Sequence, residues 1–289
     1  MTSEPRAPAG DLGLHELEAR VERLRVQREG RARIAGILYP LGVVVIVLGI
    51  WEAGTRFFAV PAFLLPSPSA IGASFLANAR LLLLHGSITT VEIVLGFLLS
   101  IVIGIPLALA IFVSPTFSRS ILPLLVSSQA MPKVAVAPLL LVWFGFGLLP
   151  KVLIAFLIAF FPVVINTAVG LASIEPEKIY LARSMGFGAA ATFFKIRLPN
   201  ALPAVFGGLK IAITLAVVGA VVGEFVGGDA GLGYLLMVAN GSMDTQLLFA
   251  GIVALTALGV GLFLLVELAE RVAIPRHIIA GEKGAREPF

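Results

Sequence analysis

The feature that most limits what this chain can become is a series of apolar runs of about 20 residues without charge, separated by short polar segments. Such a run cannot face water along its length. In hydrocarbon each backbone N–H and C=O must be satisfied within the segment, so the runs point to helices that cross a membrane. Charge content agrees: 13% of residues are charged and 58% are hydrophobic, with a mean hydropathy of +1.02, against about 25% charged in a soluble domain. The fold class expected is an all-α integral membrane protein with six transmembrane helices.

The spans are expected at Ile34–Trp51, Val91–Val113, Ile121–Phe146, Val152–Ala172, Ala201–Val226 and Leu247–Arg271. Pro123, Pro132 and Pro138 interrupt the third, because proline removes an amide donor from the helix. The segment 66–87 reads as a surface helix opened by Ser67 or Ser69, and Leu81–Leu84 is too short to cross. Near the N-terminus Leu14, Leu17, Val21 and Leu24 form one helical stripe. That helix either lies on the membrane surface, meets a partner, or is simply solvated. The organisation expected is a tail with this helix (1–33), a first span (34–56), an external segment (57–87), a core (88–272) holding a polar loop (175–200), and a second tail (273–289). The charged first 33 residues lack a short apolar core followed by small residues, so no cleaved leader is expected and the first span directs insertion.

Orientation follows from Lys and Arg. Sixteen of the 21 lie in segments on the same side as the N-terminus, three (Arg56, Arg80, Lys151) lie opposite, and Lys133 and Lys210 fall inside spans. Both termini and the 175–200 loop are therefore expected in the cytoplasm.

Some chemistry is excluded. With no cysteine there is no disulfide framework and no thiolate metal site. No G-x4-G-K-[ST] is present to cradle ATP phosphates, no H-E-x-x-H, and no Ser/His/Asp set; His15, His85 and His277 are scattered. No enzymatic activity or cofactor is expected. The basic clusters lack the interleaved aromatics of a nucleic-acid site.

The loop itself is the most specific signal. Ala182, Gly186, Ile196, Leu198 and Pro199 carry a spacing that resembles E-A-A-x3-G-x9-I-x-L-P, the signature loop of the membrane subunits of bacterial ABC importers. Tyr180 and Leu181 replace the usual Glu and Ala. FLLPSPSAI, QAMPKVAVAPLLLVWFGFG, FFPVVINTAVGL, GEFVGGDAGLGYL and FAGIVAL are similar to one branch of that family, the nitrate, sulfonate and taurine permeases; the resemblance covers roughly 60–275. It implies the type I importer permease fold, in the bacterial inner membrane. It also implies a second permease subunit (a homodimer), two ABC ATPases that bind the ATP, and a solute-binding protein. In the family the loop is a short helix pair that sits in a groove of the ATPase. Carried over, the coupling residues are Tyr180, Ala182, Arg183, Ser184, Gly186, Leu198 and Pro199. Ala182 and Gly186, four apart, would share one face of a helix. Tyr180 would meet either a less basic, more apolar groove or an arginine.

Four polar residues within spans are pathway candidates, since a route through lipid must be lined by such groups. Gln129 and Lys133 flank the Met131-Pro132 break and would share a face if the helix persists; Lys133 otherwise snorkels or pairs structurally. Asn166 lines the pathway or makes a helix–helix hydrogen bond. Glu224, the single deep acid, gates an outer vestibule, meets the binding protein, or pairs with Lys151 or Arg80. Lys210 is expected to snorkel at the inner end of its span. The solute expected is a small organic anion, because a cation near mid-membrane needs a partner. A neutral or aromatic vitamin precursor is the alternative within the family, and an ion-coupled secondary transporter is the alternative class.

Overall fold

A computed structural model describes residues 38–274, and all regular structure among them is helical. The helices are α1 (Leu38–Phe57), α2 (Pro68–Ala77), α3 (Ala79–Val113), α4 (Pro115–Gln129), α5 (Lys133–Phe144), α6 (Leu148–Ala172), α7 (Pro176–Ser184), α8 (Ala189–Thr192), α9 (Leu198–Gly227), α10 (Leu232–Gly241) and α11 (Thr245–Ala273). A π-helical turn, Phe193–Arg197, joins α8 to α9. Both tails, with the expected N-terminal amphipathic helix, lie outside the described residues.

Five helices are long and apolar enough to cross a membrane, and the bent pair α4–α5 passes the same test when taken as one span, which makes six. The expectation of six spans agrees with that count. The proline-broken span bends by 94° where Pro132 interrupts it. One boundary differs. The stretch expected to be one surface helix is split at Asn78: α2 ends at Ala77, and the rest opens α3, a single 35-residue helix from Ala79. His85-Gly86-Ser87 is polar, but it contains no proline and each residue can stay helical.

The chain forms two compact units. In the first, α1 exposes nearly its whole apolar surface, as a lipid-facing span does. Its Glu52 pairs with Arg56 at 2.6 Å and accepts from Ser69 N (2.9 Å) and Ser69 Oγ (2.7 Å), which fixes the chain after residue 65.

The second unit is built on α6, which packs along α9 on one side and α3 on the other. In lipid there is little hydrophobic gain from bringing helices together, so close backbone approach matters more. The sequence supplies it. Gly208 and Gly219 of α9 lie against α6, where a Cβ would fall 2.6 Å from Asn166 Cβ and 2.5 Å from Ala155 Cα respectively. Gly96 of α3 meets Ala155 from the other side at 2.6 Å. Buried Ala155, Ala159, Ala212, Ala216 and Ala220 complete this core.

Candidate functional site

The polar loop folds as the expected helix pair. Pro176 occupies the first turn of α7, where its missing N–H costs nothing. Glu177 opens that helix and Arg183 closes it, each matching the helix dipole. Tyr180, Leu181 and Met185 point outward and Ala182 is buried. The Ser184 hydroxyl donates to Leu181 O at 2.7 Å, within its own helix.

Ala182 and Gly186 do not share a helical face. The helix ends at Ser184, and Gly186 has φ +82°. Its N–H bonds Arg183 O at 3.0 Å, and Phe187 N bonds Ala182 O at 3.0 Å, satisfying the last carbonyls. Open space surrounds the position of a Gly186 Cβ. Glycine adopts this left-handed backbone conformation without strain.

After α8, the π-helical turn leads without a break into α9, with Pro199 in the first turn. Arg197 fixes the turn. Its guanidinium lies 4.9 Å from the Phe112 ring centroid and donates to Leu171 O at 3.3 Å. The loop is thus tied to the ends of α3 and α6 while one α7 face stays free.

A second polar group occupies the opposite end of α6 and α9. Lys151, in the first turn of α6, is 3% exposed and Glu92 of α3 is 0% exposed; Nζ and Oε1 are 2.9 Å apart. Lys151 also reaches Asp229 Oδ1 at 3.6 Å and Ala230 O at 3.4 Å. Beside them Glu224 of α9 is 1% exposed. It accepts from Thr89 Oγ1 (2.6 Å) and from Gly233 N, while Leu232 N donates to Thr89 Oγ1 (2.8 Å). Gly231 N donates to His85 Nδ1 at 3.0 Å. Only glycine fits the wrapping segment. Gly231 has φ +112°, and a Cβ there would be 2.0 Å from Glu224 Oε1. The cluster therefore binds α3, α6, α9 and the start of α10 into one body. It stands about 30 Å along α6 from the loop, close to the thickness of a bilayer's hydrocarbon core.

Several expectations change here. Glu224 is a deep acid but not the single one, since Glu92 is equally buried. It pairs with neither Lys151 nor Arg80; hydrogen bonds hold it instead. Lys151, expected in an external loop, lies inside α6. Lys210 does not snorkel: it forms an ion pair with Glu270 of α11.

Gln129 and Lys133 do not share a face, because one ends α4 and the other begins α5 across the bend. Lys133 is half-buried, with no carboxylate in ion-pair range among the described residues. Asn166 bonds within its own helix, Nδ2 to Pro162 O at 2.9 Å, and packs on Gly208. Thr89 and Glu92, missed from the sequence, sit three apart on one face of α3. That spacing, together with a lone Lys151 in an apolar run, was the available signal.

The family described as binding-protein-dependent transport system inner membrane component matches residues 100–276. The chain is 39% identical over 231 residues to the riboflavin transport system permease protein RibX of Chloroflexus aurantiacus, covering 79% of this chain and 86% of the relative. It is 26% identical over 248 residues to the taurine transport system permease protein TauC of Escherichia coli, covering 83% and 90%. Its fold is similar to a chain of the MetNI methionine ABC transporter solved in an inward-facing conformation, with a TM-score of 0.56, 20% identity, and coverage of 68% of this chain and 94% of that one.

Proposed function

Because the chain belongs to the binding-protein-dependent transport system inner membrane component family, we propose that it is one of a pair of permease subunits enclosing the pathway of an ATP-driven importer. It is a multi-pass inner-membrane ABC importer permease of the type I fold. The single observation that carries the working reading is the α7–α8 projection, an exposed helical face held firmly by Arg197 on the ends of two spans. An ATPase seated on that face would push on α6 and α9. The cluster around Glu92, Lys151 and Glu224 would move with them at the other end. ATP binding and hydrolysis then belong to two separate partner chains, and a solute-binding protein delivers from the opposite side. The two permease copies are taken as identical.

This reading places both termini and the loop in the cytoplasm, from the bias of Lys and Arg. Cysteines introduced at Ser3 and Glu282 should resist an impermeant thiol reagent in intact cells, while one at Ala230 reacts. Labelling at Ser3 would reverse the topology.

Lys133 stands at the bend of the broken span without an acidic partner among the described residues. A cation at that depth needs a counter-ion, and an organic anion passing through would supply one transiently. Gln129 is carried beside it as a pathway residue; Asn166 now reads as packing. We take the solute class to be a small organic anion such as a sulfonate or carboxylate. A second reading is favoured by the higher identity to RibX, a riboflavin permease by name: an aromatic vitamin or vitamin precursor. Lys133→Met separates them. For an anion, uptake should fall by about tenfold or more, the loss of one charge-assisted bond, with assembly and basal ATP hydrolysis unchanged. Unchanged uptake favours the second reading.

A further inference from the structure

Between the loop and the end of α3 lies a cavity of about 570 Å³, which shares Arg183 with the coupling residues. Arg183 of α7 and Arg197 of the π turn both line it. So do the aromatic rings of Phe112, Phe187 and Phe193, and Ile179. No acidic residue lines it, and neither arginine has a carboxylate in ion-pair range among the described residues.

Two arginines lining one hollow concentrate positive charge there, which an anion would offset. Arg197 spends one N–H on Leu171 O and keeps the others of its fork. The Arg183 side chain holds no hydrogen bond of its own among the described residues. Planar donors of this kind match phosphate oxygens two at a time.

The walls narrow the identity further. A soluble anion would leave three phenylalanine rings facing water. An amphiphile would set its charged group on the arginines and its first methylenes on the rings. Phe112 and Val113 end α3 and Leu171 nearly ends α6, so the cavity sits at the ends of two spans, the level at which a headgroup layer would begin. Basic pockets between helices at this level suit anionic headgroups.

We propose that this cavity is a binding site for the phosphodiester headgroup of an anionic phospholipid, held by Arg183 and Arg197 with its upper acyl chain against Phe112, Phe187 and Phe193. The leaflet named, the cytoplasmic one, rests on the orientation proposed above; the site itself does not. A bound headgroup would brace α7 and α8 against α3, so the lipid would stiffen the element that meets the ATPase.

The test uses the importer assembled with its ATPases and purified from phosphatidylcholine nanodiscs with and without added phosphatidylglycerol. Native mass spectrometry then counts phosphatidylglycerol retained by wild type, Arg197→Gln and Arg183→Gln. Wild type should retain it and each variant should retain about tenfold less. Arg183→Gln keeps the test sound if Arg197→Gln folds poorly. Equal retention by wild type and Arg183→Gln would overturn the proposal. Displacement by glycerol 3-phosphate at concentrations matching the lipid would also overturn it, assigning the site to a soluble anion. Retention by the free permease but not by the assembled importer would assign it to an acidic side chain of the ATPase. Cysteine labelling that reversed the topology would move the leaflet and leave the site standing.

Discussion

Lys151→Met should cost about 3–5 kcal/mol of stability, because it leaves the Glu92 carboxylate buried without its partner. Glu92 is already poorly served. Its Oε1 faces Lys151 at 2.9 Å, and its Oε2 has no hydrogen-bond partner among the described residues. With the ammonium removed, Glu224 adds a second buried carboxylate on the adjoining helix. The variant should appear as a lower melting temperature of the solubilised protein and a smaller monodisperse peak. Restoring balance should restore much of the loss, so Lys151→Met combined with Glu92→Leu is expected to be more stable than Lys151→Met alone. Replacing both members of a buried pair by apolar groups is often neutral, whereas removing one is not. A single variant as stable as wild type would mean that Lys151 is solvated and the cluster is not closed.

The second large effect comes from one glycine on α9, Gly219, with Gly207 as its control. A Cβ on Gly219 would lie 2.5 Å from Ala155 Cα and 3.0 Å from its backbone N, so α6 and α9 would have to separate. Neither obstacle is the flexible end of a side chain. Gly219→Ala is expected to cost about 1–3 kcal/mol through overpacking, and Gly219→Leu to prevent accumulation of folded protein. Gly207 lies on the same helix with nothing within 4 Å of its Cβ position. Gly207→Ala should be neutral or gain up to about 1 kcal/mol in helix propensity. Expression level and melting temperature of the two alanine variants check this. Equal effects would show that α9 does not pack on α6 in this register.

The sequence carried some of these features openly and hid others for physical reasons. Uncharged runs made the spans legible because lipid leaves a helix no other way to satisfy its backbone. Pro132 announced the bend, since its missing amide breaks the ladder wherever it stands. The helix pair at the loop was legible through the resemblance of its residues to the family's signature loop. Gly186 was misread because an i,i+4 pattern assumes that the helix continues, while its backbone ends it. The long α3 was cut short because polar His85 and Ser87 looked like an exit from the membrane; both instead stay helical. Glu92 and Lys151 were invisible as a pair. They are far apart in sequence, each sits near the end of an apolar run, and no local period connects them. The fold of α6 on α9 and α3, fixed by glycines whose tightness shows only in space, brings them together. The candidate pathway was the least legible part. Of its four residues, Asn166 bonds within its own helix, Glu224 joins the buried cluster, and Gln129 and Lys133 stand on either side of the bend.

Co-purification tests whether α7 and α8 dock an ATPase. The tagged chain, solubilised from cells that also express its ATPase, should bring that ATPase down with it in near-equal amount. Gly186→Val should insert to the wild-type level but retain about tenfold less ATPase, because a β-branched residue at φ +82° costs on the order of 1–2 kcal/mol and would redirect the end of α7. Gly186→Asn, whose side chain tolerates that conformation, should retain most of it. Full retention of the ATPase by Gly186→Val, or a wild-type chain that transports with no ATPase bound, would contradict the account.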